Sequence, residues 1–274
     1  MKRENNPRSI PTALTIAGSD SGGGAGIQAD LKTFAALGVH GVTALTCVTA
    51  QNPRRVLGVE ACSPSIVRDQ LSAVFGELPP AAAKTGMLHS AGIIQAVAEC
   101  LRCHRIPLVV DPVMVSTSKA TLLEARAIKV LCRELLPLAT LITPNLNEAE
   151  VLLGGKISSI ENLRTAAKDL YRRFGSAALV KGGHLRGHKE AVDIFYDGNQ
   201  ELLLSAPFVR GIRTHGTGCT YSAAITGYLA KGFSLAESVA KGKEFITQAI
   251  AQSQVAGGHC VLNSFWKRNR SAGF

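Results

Sequence analysis

The chain has 274 residues, of which 46% are hydrophobic and 18% charged, and a formal net charge of +10. This length and composition favour one large globular domain, which we place at residues 12–266 between basic polar tails at 1–11 and 267–274. No apolar stretch approaches the roughly 20 residues that a membrane span needs. The segment Met1–Pro11 lacks the apolar core of a signal peptide, so we expect a cytoplasmic protein with no membrane partner.

The positive charge is weak evidence for a nucleic-acid partner. Half of the excess lies in the two tails, with +2 in residues 1–11 and +3 in residues 267–274. A basic balance also suits a phosphate-rich ligand, and basic residues are not interleaved with aromatic ones. We therefore expect no nucleic-acid partner. Seven cysteines, an odd number scattered through apolar segments, indicate a reducing compartment.

Short apolar segments alternate with segments of helical periodicity along the chain. Strands are predicted at Ala13–Ala17, Val42–Thr49, Val56–Ala61, Ala81–Gly86, Leu108–Val110, Leu141–Thr143 and Ala178–Val180. Helices are predicted at Ala25–Leu37, Ser65–Phe75, Ala91–Arg102, Leu122–Leu136, Asn147–Leu153, Ile160–Phe174, from Thr220, and at Leu235–Ala251. A hairpin is predicted for Val192–Tyr196 and Glu201–Ser205. The alternation predicts an α/β fold with a mostly parallel central sheet, helices on both faces and a small flanking β element.

Polar and glycine-rich residues follow six of the predicted strands. They are Gly18-Ser19-Asp20, Gln51-Asn52, Lys84-Thr85-Gly86, Asp111-Pro112, Thr143-Pro144-Asn145 and Lys181-Gly182-Gly183. Ligands of doubly wound sheets bind beyond the carboxyl ends of the strands. The sequence therefore predicts a ligand site at this edge of the sheet.

The heptapeptide Thr214–Thr220 precedes a long apolar helical segment. Its two glycines let the chain turn tightly and direct N–H groups towards one point at the start of a helix, where an anion is favoured. A thiol at Cys219 in this electropositive position is expected to have a lowered pKa. Phosphoryl transfer is one interpretation. A glycine-rich helix start with a buried, inert cysteine is the other.

The first glycine-rich loop, Ser19–Gly26, leads into a helix that carries Asp30. Its small residues would let a ligand approach the backbone, and Asp30 could accept hydrogen bonds from a ring amine or hydroxyl. A flexible turn followed by an exposed acid remains the alternative. The loop lacks the GxGxxG order of dinucleotide-binding folds, and the chain has no GxxxxGK[ST] motif, so it is not a P-loop ATPase.

Five further strand ends carry groups suited to phosphate or ring chemistry. Asp111 and Glu148 supply carboxylates suited to a Mg²⁺ ion that keeps most of its waters, although each alone is more often a cap or a solvated acid. Lys181 ends a strand and could contact transferring phosphates. Gln51 offers a donor and an acceptor for the edge of a heterocycle. Met87 could pack on a flat ring or simply fill the core.

The sequence Cys100-Leu101-Arg102-Cys103-His104 matches the CxxCH pattern of c-type haem attachment. It ends a predicted helix in a chain without an export signal. We therefore interpret it as two cysteines on a helix.

Seven motifs together resemble the hydroxymethylpyrimidine/phosphomethylpyrimidine kinase family of thiamine biosynthesis. They are Thr15–Thr33, Thr49–Asn52, Lys84–Leu88, Asp111–Met114, Thr143–Ala149, Val180–His184 and His215–Thr220, and they occur in order between about Thr12 and Trp266. The resemblance implies a ribokinase-like fold and a homodimer. It also implies ATP- and Mg²⁺-dependent phosphorylation of 4-amino-5-hydroxymethyl-2-methylpyrimidine and then of its monophosphate.

The resemblance also implies roles for individual residues. The pyrimidine is expected to contact Gly18, Asp30, Gln51, Met87 and Val113. ATP is expected to contact Asn145, Lys181, Thr217 and Gly218, and the metal is expected at Asp111 and Glu148. Catalysis is expected from Lys181, from the anion hole at Gly216 and Gly218, and from Cys219, which stands where most sugar-kinase relatives carry an aspartate base.

One segment departs from the family pattern. Where a lid with Ser-Gly and an acidic residue is common, this chain has Ser116-Thr117-Ser118-Lys119-Ala120. Some relatives that act as pyridoxal kinases use a lid cysteine at about the position of Ser116. Its absence favours the pyrimidine over the alternative, a pyridoxal or pyridoxine kinase. A non-catalytic binding protein is disfavoured because Asp111, Glu148, Lys181 and Cys219 are all present.

Overall fold

A computed structural model describes residues 9–114, 123, 125–183, 185, 190–209 and 215–267. Within these residues, nine strands form one sheet in the order β3-β2-β1-β4-β5-β6-β7-β8-β9. The strands are β1 Thr12–Asp20, β2 His40–Gln51, β3 Val56–Ala61, β4 Ala82–Thr85, β5 Leu108–Val110, β6 Leu141–Ile142, β7 Ala177–Lys181, β8 Glu190–Tyr196 and β9 Glu201–Pro207.

The centre of this sheet is parallel and both of its ends are antiparallel. β2, β1, β4, β5, β6 and β7 pair in parallel in that order. β3 pairs antiparallel with β2, and β8 and β9 continue antiparallel from β7. The predicted α/β class, the parallel centre, the flanking element at Val56–Ala61 and the later hairpin are confirmed.

Helices cover both faces of the sheet. They are α1 Gly26–Ala36, α2 Pro64–Glu77, α3 Ala91–Arg102, α4 Ala125–Val130, α5 Leu146–Leu153, α6 Ile160–Phe174, α7 Thr217–Ala230 and α8 Leu235–Ala251. Successive residues of a strand point to opposite faces, so Leu14 and Ile16 join one core cluster with α2–α6, and Ala13 joins another with α1, α7 and α8. Among the described residues, no helix combines the length and apolar character needed to cross a membrane.

Several predicted boundaries shift in the structure. α7 begins at Thr217 instead of Thr220, so Gly218 and Cys219 lie in its first turn. α5 begins at Leu146, one residue before the predicted Asn147, and Asn145 is its N-cap. The helix predicted at Leu122–Leu136 is α4, continued by a π-helical turn and a 3₁₀ turn through Leu138, and residue 122 lies outside the described residues.

One element was not predicted from the sequence. A short hairpin, β10 Gln254–Ala256 with β11 His259–Val261, follows α8. It turns at Gly257 and Gly258, both of which have positive φ. This glycine pair is a hairpin signal that the sequence does contain.

Candidate active site

Two loops pack against each other where β1 ends and α7 begins. Gly216, the N-cap of α7, has a φ of +83°, and a Cβ built on it would lie 1.7 Å from the carbonyl oxygen of Gly24. Only glycine permits this contact, because any side chain would clash with the backbone. The first turn of α7, with Thr217, Gly218 and Cys219, is thereby fixed beside the loop after β1. The N–H groups of such a turn favour an anion.

Asp20 organises the loop after β1. Its carboxylate accepts hydrogen bonds from the N–H groups of Gly22 (2.8 Å), Gly24 (3.1 Å) and Ala25 (2.8 Å). It also lies 3.2 Å from Nε2 of His215. Burial opposes ionisation of Asp20, but the hydrogen bond with His215 and those with the backbone outweigh it and lower its pKa. The charged carboxylate therefore joins this loop to the segment that starts α7.

Gln51 extends this link to the end of β2. The side-chain nitrogen of Gln51 lies 2.7 Å from Nε2 of His215. The Oγ of Ser21 donates a hydrogen bond to the backbone carbonyl of Gln51 at 2.7 Å. Neither Asp20 nor His215 was predicted from the sequence to have a role. Both lie inside the motifs that carry the resemblance, and an acid directly before a glycine-rich loop was the available signal.

Lys181 and Asp111 form an ion pair where β7 and β5 end. The Nζ of Lys181 lies 3.0 Å from Oδ1 of Asp111, which also accepts from Oγ1 of Thr143 at 3.3 Å. A Cβ built on Gly218 would lie 3.3 Å from that Nζ and 3.6 Å from Oδ2 of Asp111, so the pair lies against the first turn of α7. Burial alone would lower the pKa of Lys181, but Asp111 and Glu148 outweigh it and raise it. The lysine is therefore charged.

Glu148 and Asn145 form a capping box at the start of α5. The Oδ1 of Asn145 accepts from the N–H of Glu148 at 3.0 Å, and Oε2 of Glu148 accepts from the N–H of Asn145 at 2.9 Å. Burial raises the pKa of Glu148. The positive charge of Lys181 lowers this pKa, and the negative charge of Asp111 raises it further. The N–H of Lys181 donates to Pro144 at 2.9 Å, which sets Asn145 beside the lysine.

The residues predicted to line a ring pocket lie near the ends of β1, β4 and β5. A Cβ built on Gly18 would lie 2.6 Å from Sγ of Cys47 and 3.7 Å from Sδ of Met87, so Gly18 and Met87 are neighbours. Val113 has a φ of +38°, which is unusual for a β-branched residue. The next residue, Met114, has its N–H 3.4 Å from Oε1 of Glu148.

Asp30 forms an ion pair in the interior of the fold. Its side chain is fully buried, and both of its carboxylate oxygens lie 3.0 Å from Nζ of Lys84, which is also fully buried. The Oγ1 of Thr15 donates a further hydrogen bond at 2.7 Å. Burial alone would lower the pKa of Lys84, but Asp30, Cys219 and Asp111 outweigh it and raise it. Asp30 is thus a partner in an internal ion pair and not the exposed acid of the alternative interpretation, and its contact with a substrate ring stays a prediction.

The expected direction of the Cys219 pKa is wrong. Burial has the largest effect and, together with the charges of Asp30 and Asp111, raises the pKa of Cys219 to about 11. Lys84 and a hydrogen bond from the N–H of Gly26 act in the opposite direction. The position at the start of a helix is as predicted. The desolvation of the thiol outweighs the favourable field of the helix and of the lysine.

The structure brings most of the predicted residues to the sheet edge where the sequence placed them. Asn145, Lys181, Asp111 and Gly218 adjoin one another, and Glu148 faces the same lysine. The unusual segment Ser116–Ala120 lies outside the described residues.

A charged lysine, two buried carboxylates and a glycine-rich helix start on a parallel sheet define a small-molecule kinase with a ribokinase-like fold. The family model for phosphomethylpyrimidine kinase matches residues 20–263, and the chain belongs to that family. The predicted family and the predicted kinase activity are thereby confirmed.

Two relatives show the extent of the similarity. The chain is 50% identical over 262 residues to the hydroxymethylpyrimidine/phosphomethylpyrimidine kinase of Rhizobium meliloti (strain 1021), covering 93% of this chain and 98% of the relative. It is 48% identical over 254 residues to the thiamine biosynthesis bifunctional protein ThiED of Geobacter sulfurreducens, covering 92% of this chain and 52% of that protein. The chain thus spans about half the length of the latter.

Two solved structures are similar throughout. A crystal structure of the ADP complex of Bacillus subtilis pyridoxal kinase superposes with a TM-score of 0.87 at 38% identity, covering 95% of this chain and 99% of that one. The phosphomethylpyrimidine kinase from Clostridium difficile 630 superposes with a TM-score of 0.78 at 44% identity, covering 88% and 100%. These similarities confirm the predicted ribokinase-like fold.

Proposed function

We propose that this kinase uses ATP to phosphorylate the hydroxymethyl group of 4-amino-5-hydroxymethyl-2-methylpyrimidine and then the resulting monophosphate. The observation that carries the proposal is the arrangement at α7. The Nζ of Lys181 lies 3.0 Å from Asp111, and both reach the first turn of the helix at Gly218. A lysine charge and helix N–H groups that face one point suit the transfer of a phosphoryl group.

The nucleotide phosphates are expected to contact Asn145, Lys181, Thr217 and Gly218. The backbone bridge between Asn145 and Lys181 and the short approach of Gly218 to Lys181 support this assignment. The ADP complex of the similar Bacillus pyridoxal kinase supports the use of an adenine nucleotide.

Mg²⁺ fits the carboxylates of Asp111 and Glu148. Within the described part of the chain, no three His, Cys, Asp or Glu side chains group closely enough to form a full metal cage. Mg²⁺ does not need one, because it usually keeps several waters and uses one or two carboxylates together with phosphate oxygens. Glu148 is a buried carboxylate with a raised pKa, which a cation would return to its charged form. A bound Mg²⁺ supplies charge neutralisation to the phosphates.

The pyrimidine is expected to lie beside Gly18 and Met87, with Val113 and the amide of Gln51 around it. The close approach of Gly18 to Cys47 and Met87 supports a flat ring over the end of β1. Gln51 is held by His215 and can pair with a ring edge.

In the first step, the Cys219 thiolate takes the proton of the substrate hydroxyl while the hydroxyl oxygen forms its bond to the γ-phosphorus. The bond from that phosphorus to the ADP oxygen breaks, and the electron pair leaves with ADP. Lys181 and the N–H groups at Gly216 and Gly218 stabilise the charge on the transferring group. In the second step the nucleophile is already an anionic phosphate, so removal of a proton contributes less.

The test compares ATP consumption with the free pyrimidine, its monophosphate and pyridoxal, for the wild type, Cys219→Ala and a control, Cys103→Ala. Cys103 is exposed at the end of α3. We expect turnover of both pyrimidines, and we expect Cys219→Ala to slow the first step about 10²- to 10⁴-fold more than the second, the usual contribution of a general base. Equal losses in both steps would refute the base role. Absence of turnover with either pyrimidine would refute the function.

A pyridoxal or pyridoxine kinase is the second candidate, because the superposition on the Bacillus pyridoxal kinase has a TM-score of 0.87. The higher identity to the Clostridium phosphomethylpyrimidine kinase, 44% against 38%, favours the pyrimidine. A higher kcat/KM with pyridoxal than with the pyrimidine would reverse this order.

We further propose that the protein is a homodimer. The edge strand β3 supports this, because Leu57 and Val59 share one of its faces and are 63% and 37% exposed. The molar mass measured by light scattering is expected to be that of two chains, and a monomeric mass at micromolar concentration would contradict the proposal. Cytoplasmic location stays a prediction.

A further inference from the structure

A fully buried ion pair that the proposed chemistry leaves unused lies beneath the active site. Asp30 of α1 and Lys84 of β4 are each 0% exposed, with Nζ 3.0 Å from both carboxylate oxygens. Thr15 donates to Asp30 at 2.7 Å. Burying two charges is costly, and apolar residues of similar volume often serve a core as well. Packing alone therefore gives no reason for this pair.

The position of the pair relates it to Cys219. The N–H of Gly26, the first residue of α1, donates to the Cys219 sulfur, and Asp30 lies about one helical turn further along α1. Lys84 lies at the end of β4, where a Cβ built on Gly86 would be 3.4 Å from its Nζ. α7, which carries Cys219, packs against both α1 and β4.

Among the described residues, charged groups on four elements act on Cys219. They are Lys84 on β4, Asp30 on α1, Asp111 after β5 and Lys181 on β7, together with the Gly26 N–H. Lys181 is already paired with Asp111. Of the two lysines named here, Lys84 is therefore the one that the predicted phosphate and metal contacts do not involve.

We propose that Lys84 is a positioning residue that stabilises the Cys219 thiolate, and that its hydrogen bonds to the side-chain oxygens of Asp30 hold Lys84 in place. The inference deepens the proposed function, because it names the groups that prepare the base for the first phosphorylation. The two members of the pair act on the thiol with opposite signs, since a nearby cation favours the thiolate and a nearby carboxylate opposes it.

The test measures the rate of Cys219 alkylation by iodoacetamide against pH, read by mass spectrometry of the peptide that contains Cys219. The variants are Lys84→Met, Asp30→Asn and the double variant Asp30→Asn/Lys84→Met. At a fixed pH below the thiol pKa, we expect alkylation to slow in Lys84→Met and to quicken in Asp30→Asn. The thiolate fraction, and with it the rate, changes about tenfold when the thiol pKa moves by one. The double variant is expected to lie between the two single variants and to be slower than the wild type, because Lys84 acts on the thiol more strongly than Asp30 does; a double variant as fast as the wild type would contradict the proposal.

Opposite effects on the rate separate an electrostatic role from a structural one, because loosened packing would expose the thiol and quicken alkylation in both single variants. Effects of the same sign, or no effect in folded protein, would overturn the proposal. The double variant removes both charges at once, so it keeps the test available if a single buried charge prevents folding. Since alkylation needs no substrate, the result stands apart from failure of the kinase assay.

Discussion

Replacing Gly216 with alanine tests whether the contact between the two loops creates the active site. A Cβ at this position would lie 1.7 Å from the carbonyl oxygen of Gly24, whereas ordinary contact begins at 3.4 Å. The start of α7 or the loop after β1 must therefore move by about 1.7 Å, and a misplacement of about 1 Å can cost about 100-fold in rate. We expect kcat/KM for the pyrimidine to fall at least about 100-fold.

Gly232 at the other end of α7 provides a matched control. It has a φ of +84°, close to that of Gly216, but a Cβ built on it meets no atom of the described residues within 4 Å. Alanine in a left-handed conformation lowers the free energy of unfolding by about 1–2 kcal/mol at either position. Each kcal/mol lowers Tm by about 2–4 °C. Gly232→Ala should therefore lose stability and retain activity.

The assay measures kcat/KM for the pyrimidine and the Tm of both variants. We expect a large loss of kcat/KM in Gly216→Ala alone. Wild-type kcat/KM in folded Gly216→Ala would refute it. An equal loss of activity in Gly232→Ala would do the same, because the effect would then come from backbone strain and not from the displaced loop.

Two further predictions concern Lys181 and Lys243, which form ion pairs with Asp111 and Asp193. Lys181→Met should lower kcat about 10²- to 10³-fold, the usual effect of losing one group that stabilises the transferring charge. Lys156, whose side chain is 90% exposed, provides the control, and Lys156→Met should leave kcat unchanged. Equal effects of the two substitutions on kcat would contradict the role of Lys181. Lys243→Met leaves Asp193 buried without its ion pair at 2.7 Å and should cost about 3–5 kcal/mol in the free energy of unfolding. Asp193→Asn/Lys243→Met should recover most of that loss in denaturant titrations, and a double variant no more stable than the single one would count against the pair.

The sequence predicted the fold well where one signal dominated. Ala91–Arg102, Ile160–Phe174 and Leu235–Ala251 were predicted with their observed boundaries, because each has clear periodicity and a serine directly before the segment. The start of α7 was placed three residues late. Glycine has low helix propensity, so Gly218 reads as loop although it lies in the first turn of the helix.

The site was predicted less completely, because side-chain burial depends on packing between distant segments. Lys84 follows an alanine run in an ordinary strand, and nothing in that pattern indicates a fully buried ammonium group. Its partner Asp30 is 54 residues away. A carboxylate one turn into a helix is usually solvated, so the sequence left a ligand contact or an exposed acid open, and neither pattern indicates the internal ion pair that the structure shows.

The raised pKa of Cys219 bears on how the two phosphorylations differ. At pH 7, a thiol with a pKa of about 11 is ionised in roughly one molecule in ten thousand. The first step therefore needs a change on binding that lowers this pKa. A hydroxyl brought next to the sulfur adds no negative charge to the site, whereas an aspartate in place of Cys219 would be repelled by Asp30 and Asp111. A neutral thiol also accommodates the anionic monophosphate, which an ionised base would repel. One side chain can therefore serve both substrates, because the thiol is uncharged beside the monophosphate and its thiolate form accepts the proton of the alcohol.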